Sequence, residues 1–170
     1  MDSISSIKQR LLNIAKSEGV NHQDLLTRLA SERFLARLCT SKYADQYIFK
    51  GGRLLFYLID TPRKTKDLDF SVSQDSDLAS IKSSLMEIFS INLNDYFFFE
   101  NISFDDLDQP HMQQPGLRST ANYKFDNIKG KIQVDVGVGD QPMTQETLIP
   151  VLAYKDGKRD ANLLITHIFL

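Results

Sequence analysis

Residues 50–70 read KGGRLLFYLIDTPRKTKDLDF, and no other stretch restricts the fold and chemistry of this chain as much. The pair Gly51-Gly52 ends one apolar segment and opens another, so the backbone there can approach an anion with no Cβ in the way. Fourteen residues separate Gly52 from Asp67. From Asp67 to Phe70 the pattern alternates as a strand does, sending both aspartates to one side and Leu68 and Phe70 to the other. Two hard oxygen donors on one face suit Mg²⁺, and Mg²⁺ suits triphosphates. The combination points to metal-dependent phosphoryl or nucleotidyl transfer.

This stretch resembles the nucleotidyltransferase superfamily, with its Gly-Gly or Gly-Ser turn followed by Asp-x-Asp. More narrowly it is similar to the AbiEii-type branch, the toxin component of bacterial toxin–antitoxin and phage-abortive-infection systems. That branch reads K-G-G-[ST]-x-L and then R-x-[ST]-x-D-L-D-F. Lys50, Gly51, Gly52, Leu55, Arg63, Thr65, Asp67, Leu68, Asp69 and Phe70 match it in order. A second match is IQVDVGVGD at residues 132–140, similar to the family strand that brings in a third carboxylate. The resemblance spans roughly residues 25 to 157.

The sequence departs from the pattern twice. Arg53 stands where the family has Ser or Thr; an arginine pairs with phosphate in a different geometry from a hydroxyl. The family also continues into a helical segment with an acidic-Ala-Glu-Lys-Leu motif, whereas this sequence reaches Leu170 without one. The expectation is a short form lacking that C-terminal helical region.

Composition sets the outer limits. A chain of 170 residues suits a single domain with a real core, here read as N-terminal helices over 1–45 and a nucleotidyltransferase-like core over 46–170. A net charge of −2 removes any global attraction to nucleic acid, so RNA binding would need a local basic patch. The single cysteine, Cys39, excludes an internal disulfide and a zinc knuckle and reads as packing. His22, His111 and His167 lack metal-ligand spacing. No signal peptide or membrane-spanning run is evident, and cytoplasmic residence is the default expectation.

Periodicity supplies the elements. Apolar stripes predict helices over 3–17, ended by Gly19, and over 22–39. In the second, Arg33 and Arg37 share a face, read as solvated or, more sharply, as a basic rim for phosphates or RNA. Tyr47-Ile48-Phe49 closes a short strand or enters a helix, and 53–59 forms a short helix broken by Thr61-Pro62. Strands follow at 67–73, 97–104, 121–125 and 131–138, with a helix from an Asp75–Asp77 cap to Phe89 and a loop at 108–118. The run Tyr96-Phe97-Phe98-Phe99 reads as a strand with one buried edge rather than a base-stacking platform. Beyond Pro142 the pattern weakens, leaving strands at 151–154 and 163–169 around the turn KDGKRD. The fold expected is mixed α/β (α+β in stricter schemes), a nucleotidyltransferase-like mixed sheet flanked by helices.

Three strand-borne aspartates carry the chemistry expected of such a site. Asp67 and Asp69 are the Mg²⁺ ligands, and Asp135 bridges the metal or acts as base on an attacking hydroxyl. The amides of Gly51, Gly52 and Arg53 form an anion nest, while Lys50, Arg63 and Lys66 neutralise the triphosphate. Thr65 belongs to the nucleotide-binding set through the motif, and Asp140 either caps a turn or joins the site. The resemblance implies transfer from a nucleoside triphosphate to an acceptor hydroxyl, with GTP or CTP as donor and RNA, such as a tRNA 3′ end, or a protein as acceptor. It implies a cognate antitoxin, and a short form would pair as a homodimer to cover exposed apolar surface. The competing reading is an impaired homologue that binds a nucleotide or a protein. A plain RNA-binding module is disfavoured by the acidic balance.

Overall fold

A computed structural model describes residues 3–58, 66–107, 115–139, 144–150 and 162–169. The chain starts with two helices, α1 (Ile4–Glu18) and α2 (His22–Thr40). Ser3 caps α1 by accepting from the Ser6 amide, and Gly19 ends it in the left-handed region, at φ 62°. Asn21 caps α2. There follow β1 (Ile48–Lys50), α3 (Gly51–Leu58), β2 (Leu68–Ser73), α4 (Leu78–Ser90), β3 (Phe97–Leu107), β4 (Gly116–Phe125), β5 (Ile128–Gly139), β6 (Thr144–Pro150) and β7 (Asn162–Phe169). Asp77 is the cap of α4, its carboxylate accepting from the Ser80 amide.

The strands form one seven-stranded mixed sheet in the order β3-β4-β5-β2-β1-β7-β6. β2 runs parallel to β5 and antiparallel to β1, and β4 runs antiparallel to β5 and β3. Leu68, Phe70 and Val72 of β2 and Val134, Val136 and Val138 of β5 are buried, matching their alternation in the sequence. Phe70 lies at the centre of this face. It meets the rings of Phe34 from α2, Tyr47 and Phe49, at centroid distances of 6.1, 5.7 and 5.3 Å. Ile7 and Leu11 of α1 join the same core cluster.

Three regions differ from expectation. β4 begins at Gly116, so residues 116–118 belong to a strand and not to the expected loop. Pairing with β5 supplies partners for their backbone, which the Pro- and Gln-rich sequence before them conceals. Thr144–Pro150 forms a strand the sequence does not announce; it pairs with β7 over Asn162–Phe169. The strand expected at 151–154, and His111, lie outside the described residues.

The third difference concerns Arg33 and Arg37, which are neither a solvated face nor a basic rim. Both are buried, at 1% exposure. Arg37 grips Asp95 with Nη1 and Nη2 at 2.9 and 3.0 Å, and also donates to the carbonyls of Arg33 and Phe97. Arg33 pairs with the same carboxylate at 3.5 Å, and the Arg37 guanidinium lies 5.2 Å from the Phe99 ring centroid. The helix is buried around most of its girth from Leu29 to Leu38, so Glu32, Arg33 and Arg37 are carried inside and must be paired there. Arg37→Met should therefore lower stability by about 3–5 kcal/mol, because it removes the bidentate partner of a buried carboxylate and leaves it the longer contact with Arg33. Urea unfolding monitored by circular dichroism measures this; a loss below 1 kcal/mol would show that water reaches Asp95.

Candidate active site

The site grows out of strand register. In the β1–β2 pair Lys50 stands opposite Asp69, in the β2–β5 pair Asp69 stands opposite Asp135, and in the β4–β5 pair Asp135 stands opposite Arg118. Directly paired residues share a face, so four neighbouring strands present the row Lys50, Asp69, Asp135, Arg118 on the side away from Phe70. Asp67 lies just before β2 and adds a third carboxylate to the same field. The register sets Asp69 opposite Asp135, with Asp67 two residues before Asp69 in the chain.

The glycines occupy the first turn of α3, directly after β1. Gly51 has φ +83°, and a Cβ built there would lie 2.5 Å from Asp69 Oδ2. A side chain at residue 51 therefore conflicts both with the backbone and with the carboxylate. The absent Cβ is what lets the start of α3 sit against Asp69.

Electrostatics follow from this crowding. Burial, then Asp135, then Asp67 push the Asp69 carboxyl up to about 6, against the pull of Lys50 and Arg118. Burial and Asp135 also raise Asp67, opposed by Arg118, Arg53 and Lys66. Asp135 is held differently. Arg118 donates from Nε and Nη2 to its two oxygens, each at 2.9 Å, in a planar fork. Among the described residues no three His, Cys, Asp or Glu side chains converge into a set that could hold a metal ion as they stand.

Arg118 is the functional candidate the sequence reading missed. It lay inside the expected loop at 108–118, so nothing placed it opposite Asp135. The alternation of Leu117, Ser119, Ala121, Tyr123 and Phe125, all buried, was the signal that extends the strand back to it.

The remaining expected residues divide. Lys50 is half-buried in the row and Lys66 is exposed beside Asp67. Arg53 follows the glycines, but its side chain is only 6% exposed. Its guanidinium lies 5.7 Å from the Phe56 ring centroid, and its Nε has no hydrogen-bond partner. Arg28 stands over the same ring at 5.2 Å and pairs with the fully buried Glu32, which also accepts from the Tyr57 hydroxyl at 3.0 Å. Arg53 thus borders an α2–α3 polar cluster as well as Asp67. Arg63, Thr65 and Asp140 lie outside the described residues.

Two outcomes test this geometry. Gly51→Ala should cost about 1–3 kcal/mol from the positive φ alone, and it should displace the Asp69 carboxylate. Carboxyl chemical shifts of the folded variant would report the displacement, and an unmoved Asp69 signal would refute the contact. The second outcome concerns charge. The Asp69 carboxyl rises from 3.8 unfolded to about 6 folded. The folded chain therefore holds the extra proton in that window, and stability falls as pH rises through it. In chelator-containing buffer, Asp69→Asn should raise the thermal midpoint at pH 7, with the gain shrinking towards zero by about pH 4. A lower midpoint at pH 7 would mean the carboxylate is well paired after all.

Residues 33–166 match the model of the AbiEii family, described as the nucleotidyl transferase AbiEii toxin of a type IV toxin–antitoxin system. The crystal structure of JHP933 from Helicobacter pylori is similar at a TM-score of 0.50 and 16% identity, over 76% of this chain and 50% of that one. A candidate nucleotidyltransferase from H. pylori is similar at 0.48 and 17% identity, over 72% and 48% of the two chains. The chain therefore spans about half the length of these solved structures. No curated protein matches it in sequence. With the family model covering most of its length, including the glycine pair and Asp67, Asp69 and Asp135, the chain belongs to the AbiEii nucleotidyltransferase toxin family.

Proposed function

We propose that this site binds a Mg²⁺–nucleoside triphosphate and transfers a nucleotide to an acceptor hydroxyl. The observation that carries the reading is the row of Asp69 and Asp135 beside Asp67, packed against a glycine-opened helix start. Like-charged carboxylates held this close, with Asp69 pushed up to about 6, form a centre short of positive charge. That deficit and the all-oxygen donor set fit a hard divalent cation. Asp67 and Asp69 are the residues that would hold Mg²⁺, with Asp135 as the third ligand. When bound, Mg²⁺ supplies neutralisation of the phosphate oxygens and of the departing diphosphate.

The chain's own groups do the rest. The amides of Gly51 and Gly52 let the backbone approach the β- and γ-phosphates, and Lys50, Arg53 and Lys66 offset their charge. Arg63 and Thr65 join this set on the strength of the motif. The acceptor oxygen attacks the α-phosphorus while the bond to the bridging oxygen breaks. Diphosphate leaves, and the acceptor proton passes to an Asp135 carboxylate oxygen.

The partners belong to the same proposal: RNA such as a tRNA 3′ end as acceptor, a cognate antitoxin, and a second copy of the chain. No helix among the described residues is long and apolar enough to cross a membrane; we place the protein in the cytoplasm. One observation favours the second reading, a nucleotide- or protein-binding module without turnover: both Asp135 oxygens are engaged by Arg118.

Calorimetry with GTP, CTP, ATP and UTP, with and without Mg²⁺, separates these readings. Mg²⁺-dependent binding of at least one nucleotide, weakened at least tenfold (about 1.4 kcal/mol) in Asp67→Ala/Asp69→Ala, is expected. Transfer of labelled nucleotide to tRNA would then establish catalysis. Binding without transfer to RNA or protein would favour the module. No binding to the folded chain would sink the nucleotide site.

A further inference from the structure

The Arg118–Asp135 fork has features that a purely structural ion pair does not need. The Arg118 side chain is 40% exposed, whereas Asp135 is 13% exposed. The arginine therefore covers the carboxylate from the solvent side. It uses two donors to occupy both Asp135 oxygens at 2.9 Å. Both Asp135 oxygens are thus engaged by one guanidinium, while Asp69 lies in direct register beside this residue. Among the described residues no three carboxylates converge on a metal position. Asp67 and Asp69 have no such fork, and their charge is the part of the cluster left uncompensated.

We propose that Arg118 is a positioning residue that keeps Asp135 occupied until a divalent cation takes its place. Its guanidinium then turns to a phosphate oxygen of the incoming triphosphate. The inference rests on the reading of the acidic row as a metal–triphosphate site. Exchange is physically inexpensive at this location. The Arg118 side of the pair is solvent-accessible, so its guanidinium regains hydration when the pair opens, and the incoming cation replaces it on the carboxylate. The planar fork suits phosphate as well as carboxylate, so the same donors find an equivalent partner a short swing away. A lysine would not reproduce this, since it offers a point charge and not two parallel donors.

The test is binding of Mn²⁺ alone, followed by electron paramagnetic resonance, to the wild-type chain, Arg118→Lys and Arg118→Met. Circular dichroism confirms that each is folded. Arg118→Lys keeps the positive charge but removes the fork, and it should bind Mn²⁺ roughly two- to fivefold more tightly, the scale of a partly exposed ion pair. Arg118→Met removes the charge as well and should bind more tightly still. Both variants should bind inorganic tripolyphosphate in the presence of Mg²⁺ more weakly than wild type. Equal Mn²⁺ affinity in all three proteins would overturn the exchange while leaving the metal site intact. Tightening in Arg118→Met alone would also overturn it, because field and not occupancy would then be at work. Absence of Mn²⁺ binding in all three would overturn this inference together with the reading on which it rests.

Discussion

The parallel pairing of β2 with β5 is the constraint on which the site depends. Its register places Phe70 beside Val136 on one face and Asp69 beside Asp135 on the other. A slip by one residue would exchange the two faces, driving carboxylates into the core and valines into solvent. The burial of Leu68, Phe70, Val134 and Val136, all at 0% exposure, therefore holds the carboxylates in place. Apolar packing below the sheet overcomes the repulsion between aspartates above it, since each fully buried large side chain contributes roughly 1.5–3 kcal/mol.

The neighbouring pairs extend this logic outward. β1 brings Lys50 to the end of the acidic row and passes directly into α3, so a cation and a glycine-opened helix start arrive together. β4 brings Arg118 to the other end. The row is thus bounded by positive charge on both sides, with Asp69 and the neighbouring Asp67 raised by burial and by the carboxylates around them. Such crowding of like charge is poor for stability, the usual compromise where charge is gathered for function.

Arginine has three distinct uses in this structure, and exposure separates them. Arg37 is internal, fully coupled to Asp95 and to backbone carbonyls, and stitches α2 to the start of β3. Arg53 is buried beside Phe56 and Asp67, where burial opposes its charge. Arg118 is partly exposed and, among the described residues, hydrogen-bonds Asp135. Sequence periodicity assigned none of these environments, because an arginine four residues from another looks the same on a solvated helix face as on one enclosed by a sheet.

Local pattern determined much of this protein. The alternation around Asp67–Phe70 and Ile132–Val138, the caps at Gly19 and Asp77, and the glycine pair all follow from steric rules that act within a few residues. Those rules sufficed to identify β2 and β5 and to put Asp69 and Asp135 on the polar side of their own strands. They could not set one strand against another. The opposition of Asp69 to Asp135, the fork from Arg118, the enclosure of Arg33 and Arg37, and the strand at Thr144–Pro150 come from pairings between distant segments. Such pairings are chosen by which faces can be buried together, a property of the assembled sheet and helices that no single segment possesses.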